Sequence, residues 1–119
     1  MTRQQFIDIG IQLDFSYLDY PFDDEILAIR HKYNNKIFAL IFDNRELFVN
    51  LKVNPLEGEL LRQNFEYIKP AYHMNKKHWV SVQLLCADVE LVGKMVKQSY
   101  NLVKPKRLVV GNVKQQTYR

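Results

Sequence analysis

Cysteine occurs once in this chain of 119 residues, at Cys86, so an internal disulfide and a cysteine-built zinc site are both excluded. Glycine is scarce as well. Gly10, Gly58, Gly93 and Gly111 stand apart from one another, so there is no glycine-rich loop to cradle a phosphate. Ser16, Ser81 and Ser99 lack the surroundings of a nucleophile elbow, and the sequence predicts no catalytic residues and no enzyme. No apolar run nears the ~18 residues that cross a bilayer; the longest is Ile37 to Phe42. The opening MTRQQFIDIG has neither the apolar stretch nor the cleavage site of a signal peptide, so the expected compartment is a reducing cytoplasm.

Acidic residues are nearly missing from the second half. Residues 1–66 carry seven Lys/Arg against eleven Asp/Glu, a balance of −4, whereas residues 67–119 carry ten against two, a balance of +8. Such asymmetry predicts a positive surface that attracts polyanions by steering and counterion release. Hydrophobic residues at 47% and charged residues at 25% are otherwise those of an ordinary globular domain. The expected organisation is one domain over residues 1–104 and a basic tail over 105–119.

Thr2 caps a first helix, with Gln5 completing a capping box and Phe6, Ile9 and Leu13 at helical spacing. Gly10 weakens that helix, which points to close packing or a frayed end. Asp14 to Glu25 reads as an acidic loop whose aromatics (Phe15, Tyr17, Tyr20, Phe22) fold back onto the core. Three strands follow, over 26–33, 37–42 and 47–53, the first two joined by a type I′ turn at Asn34-Asn35. Alternation leaves Phe48 on the exposed face of the third. Asn54, Pro55 and Glu57 start a second helix with Leu56, Leu60 and Leu61 as its apolar face. A short strand and a turn lead to a strand over 79–85. Asp88 then caps a last helix striped by Val89, Val92, Val96 and Val103, with Met95, Ser99 and Tyr100 beside the stripe, and Pro105 stops it. The predicted fold is α+β: a two-layer sandwich of order α-β(3)-α-β(2)-α, with helices on one face of an antiparallel sheet.

The segment KPAYHMNKKHW, Lys69 to Trp79, combines cations, hydrogen-bond donors and flat rings. In the functional reading Lys69, Lys76 and Lys77 pair with phosphates, Asn75 and His78 donate hydrogen bonds, and Trp79 or Tyr72 stacks on a base or sugar. A structural reading competes: Trp79 in the core, His73 and Asn75 bonding backbone groups in a tight turn, lysines simply solvated. The hairpin tips, with Lys32 and Lys36 in one and Arg45 in the other, are candidate wings or plain turns. His73 and His78 are five apart, a poor spacing for metal ligands. The cluster Asp19, Asp23, Asp24 and Glu25 lacks the oxygen spacing of a calcium loop. No metal and no cofactor are expected, and Cys86 reads as a small buried hydrophobe.

YPF at Tyr20 to Phe22, KIFAL at Lys36 to Leu40, VNLKVNP at Val49 to Pro55 and LLRQ at Leu60 to Gln63 make the chain resemble the MmcQ/YjbR family of small bacterial proteins. KPAYHMNKKHWVSV at Lys69 to Val82 and SYNLV at Ser99 to Val103 extend the resemblance, which covers about residues 20–104. It implies a fold like that of bacterial secretion chaperones, and a DNA-binding label resting on a wing-like arrangement of hairpins. The leading expectation is therefore a DNA-binding module of low specificity that contacts mainly the phosphate backbone. With Lys69, Lys76, Lys77 and one tail cation as contacts, its logarithmic salt slope would be about −3.6. The alternative is a protein-interaction module using the open sheet face, with Phe48 as anchor.

Overall fold

The computed structural model describes residues 1–43 and 45–106. Asn44 and segment 107–119, with every cation of the expected tail except Lys106, lie outside the described residues. Its elements are α1 (Arg3–Ile11), β1 (Ser16–Asp19), β2 (Leu27–His31), β3 (Ile37–Phe42), β4 (Phe48–Lys52), α2 (Pro55–Asn64), β5 (Ile68–Pro70), β6 (Trp79–Gln83) and α3 (Val89–Val103), with one 3₁₀ turn at Leu84–Cys86. The strands form a single antiparallel sheet in the order β1-β2-β3-β4-β6-β5. This is the expected α+β sandwich with one strand more than the sequence predicted.

The extra strand is β1, inside the stretch read as a loop. Its four residues pair with His31 to Ala28 of β2, and Asp19 meets Arg30 at 2.8 Å across the pair. The aromatics around it do not fold inward: Tyr20 and Phe22 are exposed, and Phe15 packs edge-on against Tyr33 at 4.8 Å. The β2–β3 connection is also wider than a two-residue turn. Only Asn35 takes positive φ, at 59°, and His31 and Lys36 close the loop through backbone hydrogen bonding.

The main core lies between one sheet face and the helices. Leu27, Ile29, Ile41, Val49, Leu51, Val80 and Val82 alternate inward and meet Phe6 of α1 and Val92, Met95, Val96 and Val103 of α3. Thr2 and Gln5 form the predicted capping box, and Gly10 lets α1 rest on Ile29, where a Cβ would collide with its Cδ1. Close packing, not fraying, accounts for that glycine. Two helix faces differ from expectation. In α2, Leu56 and Leu60 are 67% and 49% exposed, and the helix instead buries Gly58, whose missing Cβ admits Val53. In α3 the departure is Val89, which is exposed; Ser99 and Tyr100, expected beside the stripe, are buried with it.

Where β2 and β3 shift register beyond Ile29, Phe38 is the extra residue. Ser99 answers the disturbance. Its hydroxyl accepts the Lys52 N–H at 2.9 Å and donates to the Phe38 carbonyl at 2.6 Å, standing between the ends of β3 and β4.

The second sheet face is not bare. Ala28, Leu40 and Phe42 form a small core there with Ile26, Ile37, Phe48 and Met74. Segment 71–78 lies over part of it. Among the described residues no helix is long and apolar enough to cross a membrane.

Candidate nucleic-acid interface

Strand register fixes which charged residues meet. Ala39 pairs with Leu51, Lys52 pairs with Trp79, and the Val53 N–H donates to the His78 carbonyl at 2.8 Å. The start of β3, the end of β4 and the start of β6 therefore share one end of the sheet. The end of α3 joins them, because the Asn34 side-chain amide donates to the Val103 carbonyl at 2.7 Å. Lys32 and Lys36 from the β2–β3 loop, Lys52, Lys76 and Lys77 before β6, and Lys104 and Lys106 after α3 all come to this end. Six of these seven are exposed, Lys52 is half-buried, and none is in an ion pair among the described residues. Asp14, whose carbonyl accepts the Tyr100 hydroxyl, and Glu57 in the first turn of α2 also lie here, outnumbered by the lysines.

Asn75 shapes the turn that presents Lys76 and Lys77. Its side-chain oxygen accepts the Lys77 N–H at 2.8 Å, and its carbonyl accepts the N–H groups of His78 and Trp79 at 3.2 and 3.0 Å. That is the structural role expected of it, and it leaves the lysines and His78 exposed. Trp79 is half-buried on the open sheet face, opposite Lys52, and is not a core residue. His73 has φ 61° and its ring lies against Tyr72, the centroids 3.7 Å apart and the planes tilted by 59°; no side-chain hydrogen bond holds it among the described residues.

Lys69 and Arg45 lie elsewhere. Lys69 is on edge strand β5, paired with Ser81 at mid-sheet. Arg45 follows β3 at the far end, roughly 17 Å away by five residues of strand at about 3.3 Å each. The two hairpin tips thus face opposite ways and cannot enter one groove as paired wings. Sequence reasoning missed Lys52 and Lys104, and counted Lys106 only as an unnamed tail cation. The outward alternation of Lys52 was the available signal, but the pairing of helix end with hairpin loop was not readable.

Cys86 is exposed, contrary to expectation, and sits past the end of β6 opposite His78, so Cys86 and His78 do not converge. His31 is buried among the rings of Phe15, Tyr33 and Tyr100. Burial first, and the Lys104 ammonium second, hold its imidazole below the ordinary histidine range. Its Nδ1 accepts the Tyr33 N–H at 3.2 Å. Among the described residues no three His, Cys, Asp or Glu side chains group as metal ligands.

A six-stranded antiparallel sheet with three helices on one face defines a small α+β domain of the DUF419/YjbR type. The YjbR family profile matches residues 12–102, and the chain belongs to the YjbR family. It is similar to the uncharacterised protein YbdF of Escherichia coli O157:H7, at 39% identity over 97 residues, 80% of this chain and 78% of that one. The uncharacterised protein YyaQ of Bacillus subtilis is 34% identical over 107 residues, 80% and 87% of the two chains. Among solved structures, the Deinococcus radiodurans protein DR2400, whose domain is labelled DUF419, superposes with a TM-score of 0.80 at 39% identity. It covers 88% of this chain and 80% of its own. A Pseudomonas syringae protein superposes at 0.79 with 31% identity, over 87% and 100% of the two chains.

Proposed function

We propose that this chain is a DNA-binding module that holds mainly the phosphate backbone, with little sequence preference, through the lysine-rich end of its sheet. The observation that carries the reading is the convergence of lysines from three separate stretches, 32–36, 76–77 and 104–106, on one end, with no ion pair to neutralise them among the described residues. Clustered, solvated ammonium groups raise local phosphate concentration and release counterions when phosphate arrives. Lys32, Lys36, Lys76 and Lys77 make about four contacts in this reading. The logarithmic salt slope is then about −3.6, a loss of about 150-fold between roughly 50 and 200 mM salt.

Fluorescence anisotropy with a labelled duplex tests this directly. Binding at the lower salt that collapses along that slope is the expected result. Absence of binding there, or binding indifferent to salt, overturns the proposal.

The rival reading, a protein-interaction module on the open sheet face, has weaker support. Its anchor Phe48 is stacked on Phe42 at 4.7 Å and flanked by Tyr72 at 5.4 Å, so it is already partnered within the chain.

A further inference from the structure

We propose that the cleft at the other end of the open face binds a small molecule joining an aromatic ring to an ammonium group. The cleft, about 670 Å³, falls in the ~300–1,000 Å³ range of small-molecule sites. Its apolar lining is Phe42, Phe48 and Tyr72, the last standing perpendicular to the other two. Its position is held from inside the sheet. The Tyr72 N–H donates to Ser81 Oγ at 2.9 Å, its carbonyl accepts from Asn50 Nδ2 at 2.8 Å, and the Ser81 hydroxyl donates to Asn50 Oδ1. Asn50 and Ser81 are buried mid-strand, where apolar side chains would otherwise pack at lower desolvation cost. Two buried polar residues are thus committed to fixing one cleft residue, and His73 beside it is kept in a left-handed backbone conformation that costs energy.

The rim selects the charge of the ligand. Glu25, Asp43 and Glu46 line the cleft together with Arg45. Asp43 is met by Arg3 at 3.6 Å and Glu46 by the Gln83 amide at 3.1 Å, while Glu25 has no ion-pair partner among the described residues. The excess of carboxylate favours a cation over the rings and disfavours a phosphate or carboxylate ligand. This site lies at the opposite end of the sheet from the lysines and does not depend on the DNA-binding reading.

Titration of the full chain with tryptamine and with indole-3-acetate, followed by two-dimensional NMR, presents similar rings bearing opposite charge. Tryptamine is expected to shift the amides of Phe48, Tyr72 and His73 saturably and to bind about tenfold tighter than the acetate. Replacing both Glu25→Gln and Glu46→Gln, which are exposed and leave the fold intact, is expected to weaken tryptamine about tenfold. Equal affinity for the two probes overturns the proposal. So does a lack of saturable shifts at millimolar probe, or a double variant that binds tryptamine as the parent does.

Discussion

At Ser99 a hydroxyl on one helix completes a hydrogen-bond path between β3 and β4, at the residue where β3 is irregular in its pairing with β2. Ser99→Ala leaves the Lys52 N–H and the Phe38 carbonyl without that partner. The expected cost is about 1–3 kcal/mol, seen as a lower urea midpoint at unchanged slope. The sequence put Ser99 beside the buried stripe of its helix, but a role in bridging strands depends on a bulge that no periodicity announces. His31 carries a second prediction. Its folded imidazole titrates below 6.5, so the unfolded chain takes up the proton first as pH falls. Its contribution to stability is therefore whole above pH 6.5 and is lost on acidification toward the lowered folded value. Urea unfolding on both sides of pH 6.5 should show this, and His31→Gln should flatten that part of the profile. Nothing local marks His31 as buried; of the rings that enclose it, only Tyr33 is a neighbour in sequence, while Phe15 and Tyr100 come from distant stretches of chain.

Among the elements, those with strong local chemistry were legible. Thr2 and Gln5, Asn54 and Pro55, and Asp88 fix the helix starts, and each forms the cap its residue type dictates. Strands β2, β3, β4 and β6 follow their alternating or continuous apolar pattern. β1 was not legible, because Ser-Tyr-Leu-Asp has no buried alternation and is a strand only through its pairing with β2. The buried face of α2 was misread in part: Leu61 packs on the core as expected, but the rest of the contact is made at Gly58, where a side chain is missing, and not by Leu56 or Leu60. Segment 71–78 tests how far a loop depends on the sheet beneath it. Asn50→Ala removes the amide that holds the Tyr72 carbonyl and leaves Ser81 short of an acceptor. A loss of about 2 kcal/mol is expected in urea unfolding, with hydrogen exchange of the Tyr72 amide rising above that of the strand amides.

For the molecule as a whole, charge is divided between the two ends of one sheet. That division gives a comparison within a single protein. Lys76→Gln with Lys77→Gln is expected to reduce the salt slope of duplex binding by about 1.8, whereas Arg45→Gln, at the far end, should leave it unchanged. Equal effects from both would mean that net charge alone governs binding. The charge imbalance was legible from residue counts but its geometry was not, since strand directions separate Lys69 and Arg45 from the residues they were grouped with. One stretch of eight residues nonetheless reaches both ends, with Tyr72 and His73 at the cleft and Lys76 and Lys77 among the lysines. If an occupant of the cleft repositions that stretch, thermodynamic reciprocity obliges the polyanion to alter the occupant's affinity by the same factor. The two candidate surfaces of this chain would then be halves of one equilibrium, to be titrated together.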